Sequence, residues 1–186
     1  MSRKGFLVNS ERCIGCHSCE MACKNEYQQD PPVRWRKVNL LDETQFTMPE
    51  RNFISLGCNH CEQPECMRVC PVMAYSKRDD GIVVHDQNRC IGCRMCVMAC
   101  PYGTPQYNTR LKKVEKCHMC YEKQDKGEQP ACVAGCPMDA LSVIDLDDFP
   151  DHKAVKTLPG FPNPSMTKPT TRFIKPTIGF QVRRDR

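Results

Sequence analysis

The stretch RCIGCRMCVMACPYGTPQYN, Arg89 to Asn108, sets Cys90, Cys93, Cys96 and Cys100 within eleven residues. The same phrase occurs earlier as RCIGCHSCEMACKNE from Arg12, with Cys13, Cys16, Cys19 and Cys23 at the same gaps of two, two and three residues. Aligned on Arg12 and Arg89, the two copies share Arg, Cys, Ile, Gly, Cys, Cys, Met, Ala and Cys. Two further groups, Cys58, Cys61, Cys66, Cys70 and Cys117, Cys120, Cys132, Cys136, are related to each other through EQPEC at Glu62 and EQPAC at Glu128. In both, three residues separate the third cysteine from a Cys-Pro pair, and the fourth group carries seven extra residues after its first two cysteines. All 16 cysteines of the 186-residue chain fall into four sets of four, so the sequence reads as a doubled unit.

Such a cysteine density is near that of disulfide-stapled secreted domains. Thiols two residues apart in all four groups argue instead for metal ligation. Zinc ribbons also use four cysteines, but as two separated pairs. The first and third groups offer three ligands in seven residues with a fourth close behind, and Pro101 follows Cys100, which is the bacterial ferredoxin run for a [4Fe-4S] cluster. A tight loop can wrap only some corners of a cubane, so three thiolates serve one cluster while the fourth reaches a neighbouring one. Each run therefore requires a partner run. Gly15 and Gly92 lie inside the tight loops, where a missing side chain lets the backbone bend close to sulfur. Pro71, Pro101 and Pro137 follow the last cysteine of groups two, three and four, whereas Lys24 takes that place in group one. His17, His60 and His118 lie within cysteine loops. No thiol position is vacant for them, and they are expected to hydrogen-bond near cluster sulfurs or to face solvent.

The remaining sequence reads as α+β. GIVVH from Gly81 reads as a short strand, and Ser18 to Tyr27 and Arg94 to Ala99 as brief helices. With the cysteines set aside the apolar core is thin, and clusters are expected to supply much of it. No run of eighteen apolar residues exists, so no direct membrane span is expected. The N-terminus MSRKGFLVN has no apolar stretch of signal-peptide length and no twin arginine, so it shows no export signal of its own. After Phe149 six prolines fall between Pro150 and Pro176. That segment reads either as a floppy tail or as an extended arm that lays TTRFIKPTIGF against the protein or a partner.

The formal net charge of +5 describes an empty chain. Each oxidised [4Fe-4S] site with four thiolates contributes roughly −2, so four such sites take the loaded protein to roughly −3. With no Lys/Arg-rich run and few aromatic residues, nucleic-acid binding is set aside. There is no Gly-rich nucleotide loop, no nucleophile motif and no cysteine left over for chemistry, so the protein is not expected to be catalytic alone. Four clusters in one small chain point to electrons moved in series between obligate partners.

GCNHCEQPECMRVCP and KRDDGIVVHDQNRCIGCRMCVMACPYGTPQYN closely resemble the iron–sulfur electron-transfer subunits of the dimethyl sulfoxide reductase type, within the molybdopterin oxidoreductases. The resemblance runs from Gly5 to Pro150 and returns in TKP and IKP of the tail. It implies two bacterial-ferredoxin-like 2×[4Fe-4S] modules, one inserted in the other: residues 1–50 with 109–149 as the outer module, 51–108 as the inserted one, and 150–186 as an extended Pro-rich tail. It further implies crosswise ligation. Cluster 1 takes Cys13, Cys16, Cys19 and Cys136, and cluster 2 takes Cys23, Cys117, Cys120 and Cys132. Cluster 3 takes Cys58, Cys61, Cys66 and Cys100, and cluster 4 takes Cys70, Cys90, Cys93 and Cys96.

The implied partners are two. A catalytic subunit, which alone holds the molybdopterin cofactor, lies next to the Cys13 cluster, and an integral membrane quinol-oxidising subunit lies next to the Cys90 cluster. The implied substrate is dimethyl sulfoxide or a related S- or N-oxide. The polysulfide, thiosulfate and formate branches share the cysteine pattern, and a zinc-binding interaction module is the alternative from another class. The implied location is peripheral to the bacterial cytoplasmic membrane. Export with a catalytic partner that bears a twin-arginine signal favours the periplasmic face, and the cytoplasmic face stays open.

Overall fold

A computed structural model of the protein describes residues 2–41, 52–150, 152 and 154–176. Strand β1 (Lys4–Asn9) alternates so that Phe6 and Val8 point inward, at 2% and 1% exposed. It pairs antiparallel with β8 (Leu141–Asp145), Lys4 opposite Asp145 and Val8 opposite Leu141. On its other edge it pairs parallel with β9 (Arg172–Ile174), Leu7 opposite Arg172. The N-terminal strand is therefore the centre of a three-stranded sheet whose outer strands come from the far end of the sequence.

Three antiparallel two-stranded ribbons complete the described β structure: β2 (Lys37–Leu40) with β3 (Phe53–Leu56), β4 (Tyr75–Lys77) with β5 (Val83–His85), and β6 (Gln106–Asn108) with β7 (Lys113–Glu115). The expected strand at Gly81 begins two residues later, because the Asp80 carboxylate accepts the Ile82 N–H at 3.1 Å and holds a turn there.

Helix α1 (Ser18–Glu26) covers the expected segment but for Tyr27, and α3 (Met95–Ala99) starts after Arg94. His17 and Arg94 stand at the same place in the two copies and both are left-handed, with φ 60° and 63°, so each helix begins one residue later. The remaining helices, α2 (Glu65–Arg68), α4 (Tyr121–Gln124) and α5 (Ala131–Ala134), are single turns. Such helices do not stand alone in water. They are held by packing, α1 on α5 and α2 on α3, which joins the first cysteine group to the fourth and the second to the third.

The tail is laid on the protein as far as it is described. Phe173 of β9 is 1% exposed and meets Phe161 edge-on at 5.6 Å, and its backbone exchanges two hydrogen bonds with Val155, each 2.8 Å. The rest of TTRFIKPTIGF, from residue 177 on, lies outside the described residues, as do 42–50 of the expected outer segment. No helix among the described residues is long and apolar enough to cross a membrane.

Candidate iron–sulfur centres

All sixteen cysteines are free. Cys13, Cys16, Cys19 and Cys136 line one small cavity. Cys58, Cys61, Cys66 and Cys100 line another. Cys23 feels the charges of Cys117 and Cys132, and Cys120 that of Cys117, so these four form a third grouping, all of them buried. In the last, Cys96 feels Cys90 and Cys93, while Cys70 and Cys90 pack against the core that contains Cys66 and Cys96. Among the described residues no three His, Cys, Asp or Glu side chains converge on a point as one bare ion would require. In the first and third sets the thiols line a cavity instead, a donor arrangement suited to a polynuclear cluster.

The repeat is visible in the backbone that builds these loops. Gly15 and Gly92 both have φ 72°, and a Cβ on Gly92 would stand 2.2 Å from the Lys112 carbonyl. In the second and fourth groups the Cys-Pro step opens a turn that returns an amide to sulfur. Ala74 N–H donates to Cys70 Sγ at 3.3 Å and Ala140 N–H to Cys136 Sγ at 3.2 Å, through Met73 and Asp139 with φ 47° and 46°. The lysine in place of proline after Cys23 also has a cause. There α1 runs on to Glu26, and the Lys24 ammonium reaches the carbonyls of Asp30, Pro31 and Val33 at 3.0, 3.1 and 2.8 Å.

Further donors face sulfur. Gln29 Nε2 donates to Cys23 Sγ at 3.2 Å, Met119 N–H to Cys117 Sγ at 3.3 Å, and the Ser55 hydroxyl lies 3.2 Å from Cys19 Sγ. Hydrogen bonds of this kind, with burial and local charge, set the potential of a cluster. Burial pushes these thiols up, Cys61 to about 12 and Cys117 to about 11, and Cys23 and Cys66 rise further; each also feels neighbouring thiolates. These groups ionise readily only when a cation takes the proton's place, as cluster iron does. Cys16 departs from this: it is exposed, and hydrogen bonding to Ser18 lowers it.

Electrostatic effects link the sets in turn. Cys19 of the first feels Cys132 of the second, and buried Arg36 lies between them, its charge acting on both. Cys117 of the second feels Cys58 of the third. At that junction His60, 0% exposed, accepts the Val83 N–H at Nδ1 and turns Nε2 toward Cys117 Sγ at 3.9 Å. An accepting Nδ1 on a ring that burial keeps neutral leaves the proton on Nε2, aimed at the sulfur. Buried Lys116 acts across the same junction on Cys117 and Cys66. Between third and fourth sets lies Tyr75, 4% exposed, close enough to Cys96, Cys66 and Cys58 to feel their charges.

Of the three loop histidines, His60 is the one that meets a sulfur. His17 is exposed and pairs with Glu20 at 3.2 Å, and His118 meets Tyr27 and Trp35 edge-on at 4.7 and 5.3 Å. Arg36, Lys116 and Tyr75 carry no sequence signal: one basic residue among 27 does not announce its burial, though Lys116 does adjoin a cysteine.

The model of the 4Fe-4S dicluster domain matches residues 49–146, and that of the 4Fe-4S binding domain matches residues 4–25. The sequence is 40% identical over 183 residues to a component of the anaerobic dimethyl sulfoxide reductase of Escherichia coli (strain K12), covering 92% of this protein and 88% of that one. It is 37% identical over 158 residues to a component of the tetrathionate reductase of Salmonella typhimurium, covering 84% of this protein and 62% of that one. It is also 37% identical over 152 residues to the thiosulfate reductase electron transfer subunit PhsB of Salmonella typhi, covering 77% and 76%. With ferredoxin-type cysteine sets and these matches over most of its length, this protein belongs to the family of 4Fe-4S iron–sulfur subunits of the dimethyl sulfoxide reductase type.

Proposed function

We propose that this protein relays electrons in series through four [4Fe-4S] clusters between two partner subunits of a respiratory reductase. The first is held by Cys13, Cys16, Cys19 and Cys136, and the second by Cys23, Cys117, Cys120 and Cys132. The third is held by Cys58, Cys61, Cys66 and Cys100, and the fourth by Cys70, Cys90, Cys93 and Cys96. The observation that carries the reading is the row of abutting sets, bridged in turn by Arg36, by His60 with Lys116, and by Tyr75. When bound, the clusters supply one-electron oxidation and reduction. The protein's own residues hold the sulfurs, aim N–H groups at them and exclude water from the interior of the row.

The two ends of the row differ from its middle. Cys16 and Cys93 are exposed, and near them Ile14 and Ile91 are 57% and 64% exposed. These ends suit entry and exit of electrons. A membrane quinol-oxidising subunit delivers them at the Cys90 end, and a molybdopterin catalytic subunit takes them at the Cys13 end to reduce dimethyl sulfoxide or a related S- or N-oxide. Support comes from the relatives, whose names are those of reductases of dimethyl sulfoxide, tetrathionate and thiosulfate. The thiosulfate relative gives a second reading, the same relay in a thiosulfate or polysulfide reductase. The nested modules, 51–108 within 1–50 and 109–149, find support in the packing of α1 on α5 and α2 on α3. Ribbons β2–β3 and β6–β7 straddle both boundaries and tie the modules together. The folded subunit works at the periplasmic face of the cytoplasmic membrane, carried there with its catalytic partner.

Anaerobically purified complex tests the assignment. It should be brown, bleach with dithionite and contain roughly sixteen iron atoms per copy of this protein, four for each cubane. Colourless protein with stoichiometric zinc would end it.

A further inference from the structure

Two cations occupy positions where a folded protein seldom leaves one unpaired. Arg36 and Lys116 are each 3% exposed, and neither has a carboxylate at ion-pair distance among the described residues. Arg36 donates through Nη1 to the Ser55 carbonyl at 3.4 Å and hydroxyl at 3.2 Å, and its guanidinium carbon stands 4.5 Å from the centroid of the Phe6 ring. Its Nη2 has no hydrogen-bond partner among the described residues, although the guanidinium lies close enough to Cys132 to favour that thiolate. Lys116 Nζ donates to the carbonyls of Val83 and Cys117. A buried charge without a counter-charge is costly, so both positions call for negative charge nearby.

Among the described residues, that negative charge comes from the cysteine sets. Arg36 acts on Cys132, Cys117 and Cys23 of the second set and on Cys19 of the first. Lys116 acts on Cys117 of the second set and Cys66 of the third. The second set, whose four cysteines are all buried, has a cation on either side. The fourth has no such buried cation among the described residues: around Cys96 lie the Tyr75 hydroxyl, Cys90 and Cys93, while Arg94 is exposed and lies over the Tyr107 ring at 3.6 Å.

One-electron uptake takes such a site from roughly −2 to roughly −3. Low dielectric penalises that added charge most where burial is deepest. Left to burial alone, the second set would be the hardest to fill and would block the row. We propose that Arg36 and Lys116 are fixed counter-cations that raise the reduction potentials of the sets they adjoin, the buried second set above all, over what burial would impose, keeping the interior of the row open to electrons. This inference rests on the reading of the four sets as [4Fe-4S] sites.

The test is a redox titration of the anaerobic complex followed by electron paramagnetic resonance, with iron per copy of this protein measured on the same samples. Wild type, Arg36→Gln, Arg36→Lys and Lys116→Gln are compared. With iron retained, Arg36→Gln should make one-electron reduction of the first and second sets at least tenfold less favourable, a drop of about 59 mV. The fourth set should not move, and Arg36→Lys should restore most of the loss. Lys116→Gln should move the second and third sets instead. Iron lost in Arg36→Gln but kept in Arg36→Lys would equally support a role for charge. Unchanged potentials at full iron, an equal shift of all four sets, or loss of iron in both Arg36 variants would overturn the proposal. Wild-type complex without iron would instead remove the underlying reading.

Discussion

Gly92 shows how little freedom the ligand loops have. Its φ of 72° and the Lys112 carbonyl 2.2 Å from any added Cβ leave no room for a side chain. Gly92→Ala should cost about 1–2 kcal/mol for the left-handed backbone, before the clash is counted. Iron content and thermal midpoint should both fall, with the Cys90 set affected first; full iron and an unchanged midpoint would contradict the geometry. Cys100 offers a second test. It ends α3 in the third cysteine run, yet it lines the cavity of Cys58, Cys61 and Cys66. Cys100→Ser should therefore perturb the paramagnetic signal of the third set more than that of the fourth. A change confined to the fourth would show that ligation follows the order of the sequence.

At the level of elements, cysteine spacing was legible because a cluster's ligand geometry is local: loops of two residues between thiols, a bend at Gly15 or Gly92, then a helix. The pairing of distant strands was not. A strand of three residues has too little pattern to announce its partner, and β9 joins β1 across more than 160 residues of intervening sequence. The described part of the tail pairs with β1 through β9. Burial of Phe173 beneath Phe161 and Val155 gives a measurable consequence. Phe173→Ala should destabilise the loaded protein by about 3–5 kcal/mol, read as a lower denaturation midpoint with the cluster signals intact before unfolding. A midpoint equal to wild type would mean that the arm contributes nothing. Arg36 and Lys116 were illegible for a related reason, since burial is a property of the finished packing and not of any window of sequence.

For the whole molecule, cysteines of the four sets are built into the apolar core. Cys19, Cys58, Cys117 and Cys132 lie in one hydrophobic cluster, and Cys66 and Cys96 in the other. Helices of four or five residues, and ribbons of two short strands, have no independent stability. Stripping iron with a chelator under reducing, anaerobic conditions should therefore collapse the far-ultraviolet circular dichroism along with the visible absorbance, in one transition. Secondary structure that survived complete iron loss would show that the polypeptide holds itself.

The central place of β1 also orders the making of this protein. Its first strand finds neighbours only when residues 141–145 and 172–174 have left the ribosome. Cys58, Cys61, Cys66 and Cys100, which line one cavity, have all emerged before Cys136, which lines the cavity of Cys13, Cys16 and Cys19. During synthesis the thiols at Cys13 thus stay open longer than those at Cys58, and a burst of oxygen in that interval would find them unshielded.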